Sequence, residues 1–220
     1  MISGSLPAAK RICRSMVLWA SLLLCSLRVS ANTYTVDNDG QLGDTDDGLA
    51  YTAADGTNTL RKCMRLADAD PGADLINFNI VENDVSSVSY CDIYLDAALP
   101  ALTGDSTTID GFDNTGALTS PSANTQPVFS ATGLAPMNGV LKMVLYHNPI
   151  APVNILTGLI INGNNNIIKG LVITSFGWKP NQSTDIGITI TGNNNQVLGC
   201  YIGVTYGGTA TDAPAVTGWA

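Results

Sequence analysis

Carboxylates are the most numerous ionisable groups in this chain, 18 Asp and Glu against 10 Lys and Arg, and they fall into two kinds of cluster. Asp37 and Asp39, followed by Asp44 and Asp46, offer the hard oxygen donors that a calcium ion takes, without the terminal glutamate of a helix-loop-helix calcium site. Calcium is the one cofactor these residues suggest. The competing reading is a solvated turn, since Asp-Gly and Asn-Asp are ordinary turn pairs. Asp110 and Asp113 are weak candidates for the acid pair of a glycoside hydrolase, whose two carboxyl groups sit roughly 5 to 9 Å apart across the bond. Asx turns at a corner of the chain account for the same two residues. His147, the only histidine, lies in Tyr146-His147-Asn148-Pro149 and has no Ser or Cys motif with which to build a triad, so it reads as a loop residue. Trp178, with Tyr201 and Tyr206, could form a platform for the apolar faces of sugars. Between residues 158 and 206 only Lys169, Lys179 and Asp185 carry charge, a thin supply for elimination or hydrolysis.

The elements that must position these groups are read from an internal repeat. Residues 158–173, GLIINGNNNIIKGLVI, lie over residues 187–202, GITITGNNNQVLGCYI, at an offset of 29. A period of this size marks stacked units, each burying its apolar face against its neighbours. Alternation along a strand sorts the side chains: Leu159/Ile188, Ile161/Ile190, Ile168/Val197, Leu171/Cys200 and Ile173/Ile202 are expected inside. Ile160/Thr189, Asn162/Thr191, Lys169/Leu198 and Val172/Tyr201 are expected outside. The Gly-Asn-Asn-Asn corners suit a left-handed backbone, and Asn164, Asn165 and Asn166 can hydrogen-bond to Asn193, Asn194 and Asn195 as a ladder.

Upstream, Leu60, Cys63, Met64 and Ala67 recur at helical spacing within 57–70, with Arg61, Lys62 and Arg65 assigned to the opposite face and Pro71-Gly72 as the stop. Strands are expected at 75–80, near 93–95 and at 107–109. The stretch Thr59-Leu60-Arg61-Lys62-Cys63-Met64-Arg65-Leu66-Ala67-Asp68-Ala69-Asp70-Pro71-Gly72-Ala73-Asp74-Leu75-Ile76-Asn77-Phe78 resembles the N-terminal motif of bacterial exported β-helix proteins. Asp68 replaces the usual Asn of that motif, and Cys63-Met64 stands where Ala-Ile is common. Similarity continues through Leu99-Pro100-Ala101-Leu102-Thr103-Gly104, Thr108-Ile109-Asp110-Gly111 and Gly170-Leu171-Val172-Ile173. The resemblance implies an all-β, right-handed parallel β-helix of the pectate-lyase-like kind, with the amphipathic helix capping its open edge. It says more of fold than of activity.

Lys10, Arg11 and Arg14 precede the apolar run 16–27, and Val29 and Ala31 supply the small residues a signal peptidase reads. Cleavage after Ala31 is expected, giving a secreted or surface location; a lipidated Cys25 is the rival, with Leu24 where a small residue belongs. The domains are then a signal peptide at 1–31, cap and first coils at 32–110, and further coils at 111–220, with continuation beyond Ala220 expected because no closing cap is recognisable. Removing the leader leaves 6 basic against 18 acidic residues, a charge of −12, which argues against nucleic acid as a partner. No transmembrane segment is expected in the mature chain. Three cysteines remain, and Cys63 is expected to bridge Cys91 while Cys200 stays a buried thiol. The functional expectation is a non-catalytic adhesive or structural protein with weak affinity for environmental polysaccharide. The alternative is a polysaccharide lyase or glycoside hydrolase.

Overall fold

A computed structural model describes residues 30–40, 48, 50–52, 56–80, 83–84, 89–116, 121–125, 129–130, 133–134, 138–147, 155, 157–176 and 186–203. The chain divides into two compact units, Met1–Ser30 and Ala31–Ala220, and apart from Ser30 the described residues belong to the second. Residues 1–29 of the expected leader, Asp44, Asp46, Trp178 and Tyr206 lie outside the described residues. Among the described residues no helix is long and apolar enough to cross a membrane.

Among the described residues of the second unit, the regular elements are mostly strands with a single helix. In chain order its elements are β1 (Thr33–Val36), α1 (Leu60–Ala69), β2 (Leu75–Phe78), β3 (Asn83–Asp84), β4 (Ser89–Leu95), β5 (Thr108–Asn114), β6 (Phe129–Ser130), β7 (Gly133–Leu134), β8 (Met143–His147), β9 (Thr157–Ile161), β10 (Ile167–Lys169), β11 (Leu171–Thr174), β12 (Ile186–Ile190), β13 (Gln196–Leu198) and β14 (Tyr201–Ile202). A first sheet runs β1-β2-β5-β10-β13 and is parallel throughout. A second runs β14-β11-β8-β4-β3, parallel except for β3. β9 and β12 form a parallel pair, and β6 and β7 an antiparallel one.

The 29-residue offset is the pairing register in all three parallel sheets: Ile168 faces Val197, Val172 faces Tyr201 and Ile161 faces Ile190. Inward side chains from the sheets meet in one apolar core that includes Ile76, Ile109, Ile161, Ile168, Leu171 and Ile173. Each repeat therefore buries its apolar face against the next, as stacking units must. The last described repeat is covered less well. Ile190 and Ile202 are 43% and 46% exposed, although their partners Ile161 and Ile173 are buried. The alternation thus gives their register correctly but overstates their burial.

Helix α1 begins where Thr59, in extended conformation, accepts the Lys62 amide on its side chain, and it ends before Pro71. Leu60, Cys63, Met64 and Ala67 bury into the core as the spacing requires. Lys62 departs from its expected solvent face: it is 1% exposed, with Nζ 3.3 Å from the Thr57 hydroxyl. A lysine stem is apolar enough to pack while its head finds a polar partner. Arg61 reaches instead to the carbonyls of Ala97 and Ala98.

The expected Cys63–Cys91 bridge is absent, and both residues are buried free thiols. Burial pushes the Cys63 thiol up to about 12. The Cys91 thiol donates to the Ile80 carbonyl and accepts from Asn114 Nδ2, an amide buried in the core that also closes on Ile80 through its own oxygen. Cys200 is a free, half-buried thiol packed against the core.

Candidate functional site

The Gly-Asn-Asn-Asn corners hold the two repeat copies in register. Asn165 and Asn194 adopt left-handed φ angles of 59° and 57°, which Asn tolerates better than most residues. The Asn193 amide and side chain both donate to Asn164 Oδ1, at 2.8 and 3.3 Å, and Asn194 Nδ2 lies 3.4 Å from Asn165 Oδ1. Asn195 Oδ1 accepts the Asn166 amide, and Asn166 Oδ1 accepts the Thr107 amide in turn. Glycine precedes each ladder because a Cβ on Gly192 would collide with the Gly163 carbonyl, and one on Gly163 with that of Gly104. The ladder extends to a corner the sequence pattern did not disclose: Asp105 Oδ1 accepts from both nitrogens of Asn164, and Ser106 takes the left-handed place with φ 66°. At this corner the Asp68 carboxylate accepts the backbone amides of Thr103 and Gly104.

The two carboxylates proposed from sequence as an acid pair are each engaged by a different neighbouring strand. Asp110 is ion-paired to Lys169 on β10 at 2.7 Å and accepts the Phe112 amide on its other oxygen. Asp113 turns toward the opposite neighbour, β2, where Asn77 Nδ2 donates to it at 3.0 Å. Of the calcium candidates, Asp37 and Asp39 are among the described residues. Asp37 accepts the Asn58 amide, the Asn58 side chain and the Gly56 amide, which makes it a staple for the 56–58 loop. Asp39 lies beside β4, with its carbonyl accepting the Tyr94 amide at 2.7 Å. Among the described residues no three His, Cys, Asp or Glu side chains are grouped to hold a metal. His147 is a strand residue, paired with Leu95 and 3% exposed, so it does not sit in a loop.

The outer face of the second sheet is different in kind. β4 turns Cys91, Ile93 and Leu95 inward, which leaves Tyr90, Asp92 and Tyr94 outward by simple alternation. Pairing then aligns Asp92 with Val144, Val172 and Tyr201 in one row, and Tyr94 with Tyr146 and Thr174 in the next. Leu141, Val144 and Val172 form a small apolar cluster on this face, with half-buried Tyr90, Phe112, Tyr146 and Tyr201 packed against it. Phe112 can lie there because Gly170, at φ 70°, has no Cβ: one would come within 2.8 Å of the ring. Tyr94 and Tyr146 meet edge to face with centroids 6.0 Å apart.

Asp92 is the carboxylate that β4 places on this face. Burial, with the Asp39 charge nearby, pushes its carboxyl up to about 6 even though the Tyr94 hydroxyl donates to it at 3.2 Å. The same burial and the Asp92 charge raise the Tyr94 phenol to about 12. Aromatic edges, hydroxyls and one carboxylate on a sheet face can stack on a sugar ring and bond its hydroxyls. Of this set, sequence reasoning picked out Tyr201 alone. The usable signal was the alternation in Ser89–Leu95, Tyr-Cys-Asp-Ile-Tyr-Leu after the first serine, whose every second residue is polar or aromatic. No protein-family model, curated protein or solved structure matches this chain.

Proposed function

We propose that this chain is an exported, right-handed parallel β-helix protein, with α1 covering the edge of its first coils, and that it binds neutral saccharide without turning it over. The observation that carries the binding role is that Tyr90, Tyr94, Tyr146 and Tyr201 share the outer face of the second sheet with Asp92, which accepts from the Tyr94 hydroxyl. The in-register 29-residue pairing of three parallel sheets supports the β-helix. The leader pattern ending at Val29-Ser30-Ala31 supports export. A surface or structural role fits the carboxylates, which are committed to loop and strand contacts at Asp37, Asp110 and Asp113. The excess of acid favours a neutral saccharide over a polyanion.

One observation favours a second reading, a glycoside hydrolase or lyase: Asp92, held near neutrality, has the character of a general acid. The two readings separate in one experiment. Mature protein is screened against neutral oligosaccharides, binding is measured by calorimetry, and reducing ends and unsaturated products are followed. Binding that falls at least tenfold in Tyr94→Ala and Tyr146→Ala, with no turnover, is expected. Turnover abolished by Asp92→Asn would establish the enzyme instead, and binding unchanged in both tyrosine variants would remove the site.

A further inference from the structure

The first residues of the second unit meet two carboxylates. The Asn32 backbone nitrogen donates to Asp74 Oδ1 at 3.0 Å, and Asn32 Nδ2 donates to Asp70 Oδ2 at 2.8 Å. The Tyr34 hydroxyl donates to the same Asp70 oxygen, and the Asn32 carbonyl accepts the Leu75 amide at 2.8 Å, so β1 enters the first sheet directly from this contact. Asp74 is only 2% exposed, and its second oxygen, Oδ2, has no hydrogen-bond partner. Among the described residues no lysine or arginine is ion-paired with Asp70 or Asp74. A buried carboxylate of this kind is costly unless a cation or donors compensate it. Burial, with Asp70 close by, raises the Asp74 carboxyl above its ordinary range. The site is short of one positive charge, and the nitrogen already pointing at it belongs to the residue after the expected cleavage point.

We propose that hydrolysis of the Ala31–Asn32 bond creates that charge: the α-ammonium of Asn32 pairs with Asp74 while Asp70 keeps the Asn32 side chain, and leader removal locks β1 onto the sheet. This rests on the export reading. In the step itself water adds across the amide. The C–N bond breaks, the hydroxyl goes to the Ala31 carbonyl carbon, which departs as a carboxylate, and the nitrogen takes up protons to become –NH3+. Ser30 and Ala31 are exposed, so the bond is open to a peptidase. The groups facing the new amine are Asp70 and Asp74, with Tyr34 held by Asp70. An amine whose pKa rises on folding stabilises fully below its unfolded value of about 8, and that contribution is lost as pH rises through the folded value.

The test compares chains starting at Asn32 and at Ala31, each released in vitro from a fusion by a specific protease, with and without Asp74→Asn. At pH 7 the Asn32 chain should melt roughly 2–6 °C above the Ala31 chain, and the difference should vanish in Asp74→Asn. Acylation of the Asn32 amine by an N-hydroxysuccinimide ester should be at least tenfold slower folded than in urea, and Asp74→Asn should restore the rate. Equal melting of the two starts, with acylation at the unfolded rate, would overturn the pocket. Because both starts are made in vitro, N-terminal sequencing of exported protein tests the export reading separately, and a start other than Asn32 would overturn the processing step.

Discussion

Asp92 shows how a strand position becomes a chemical one. Its neighbours Cys91 and Ile93 anchor β4 in the core, so the carboxylate has no freedom to leave the tyrosine face for open water. Its folded value of about 6 against an ordinary 3.8 sets a sign. Below about pH 4 the group is protonated in both states, and folding is not penalised. Between about pH 4 and 6 the unfolded chain ionises first, so stability falls, and above that range the cost is constant. Asp92→Asn keeps an oxygen for the Tyr94 hydroxyl. It should stabilise the protein by about 1–2 kcal/mol at pH 7, after allowance for screening of a half-buried group, and flatten the profile between pH 4 and 6. Chemical denaturation across that range measures both effects. None of this was legible in the residue types, since Asp92 stands outside every acidic cluster and owes its state to burial and to the Asp39 charge nearby, against the opposing hydrogen bond from Tyr94. Asp110 and Asp113 were conspicuous for their spacing, yet they serve neighbouring strands.

At the scale of elements, the repeat was read with the right register because a one-residue slip would turn every apolar side chain to solvent. Ile161 is 1% exposed and Thr189 lies half-buried on the outer face. Ile161→Asp should therefore cost at least about 4 kcal/mol by burying an unpaired charge, and Thr189→Asp less than about 1. Equal shifts in thermal unfolding would contradict the assignment of faces. Ile190, which alternation marks as equally internal, is a poorer site for this comparison because of its exposure. The corner at Gly104-Asp105-Ser106 escaped notice for a physical reason. Asp105 and Asn164 are 59 residues apart, so the chain makes a long excursion between two rungs that touch, and a fixed period cannot register it. Helix α1 was found by its apolar spacing, whereas the burial of Lys62 was not, because its type predicts solvent and the Thr57 hydroxyl beside its head is brought there only by the fold.

For the whole molecule, parallel sheets whose members lie far apart in sequence must be joined by long connections, and strands carried on a repeating offset satisfy that requirement again and again. The first and second sheets hold five strands each, and the repeat accounts directly for only the last pairs of each. The earlier strands, β1, β2, β4 and β5, carry no shared spacing and are recognised as members of the same sheets by pairing alone. The disulfide expectation failed at this scale too, since an oxidising destination makes a bridge favourable only if the two thiols face each other, and here each is enclosed in its own surroundings. Units one repeat apart lie directly on one another. Spin labels at Ile160→Cys and Thr189→Cys, partners on β9 and β12, test this in a Cys200→Ser background where the two other described thiols are buried. Adjacent parallel strands are about 4.8 Å apart, so the doubly labelled chain should give a strongly dipolar-broadened spectrum that sharpens in denaturant. A spectrum equal to the sum of the singly labelled chains would contradict the stacking.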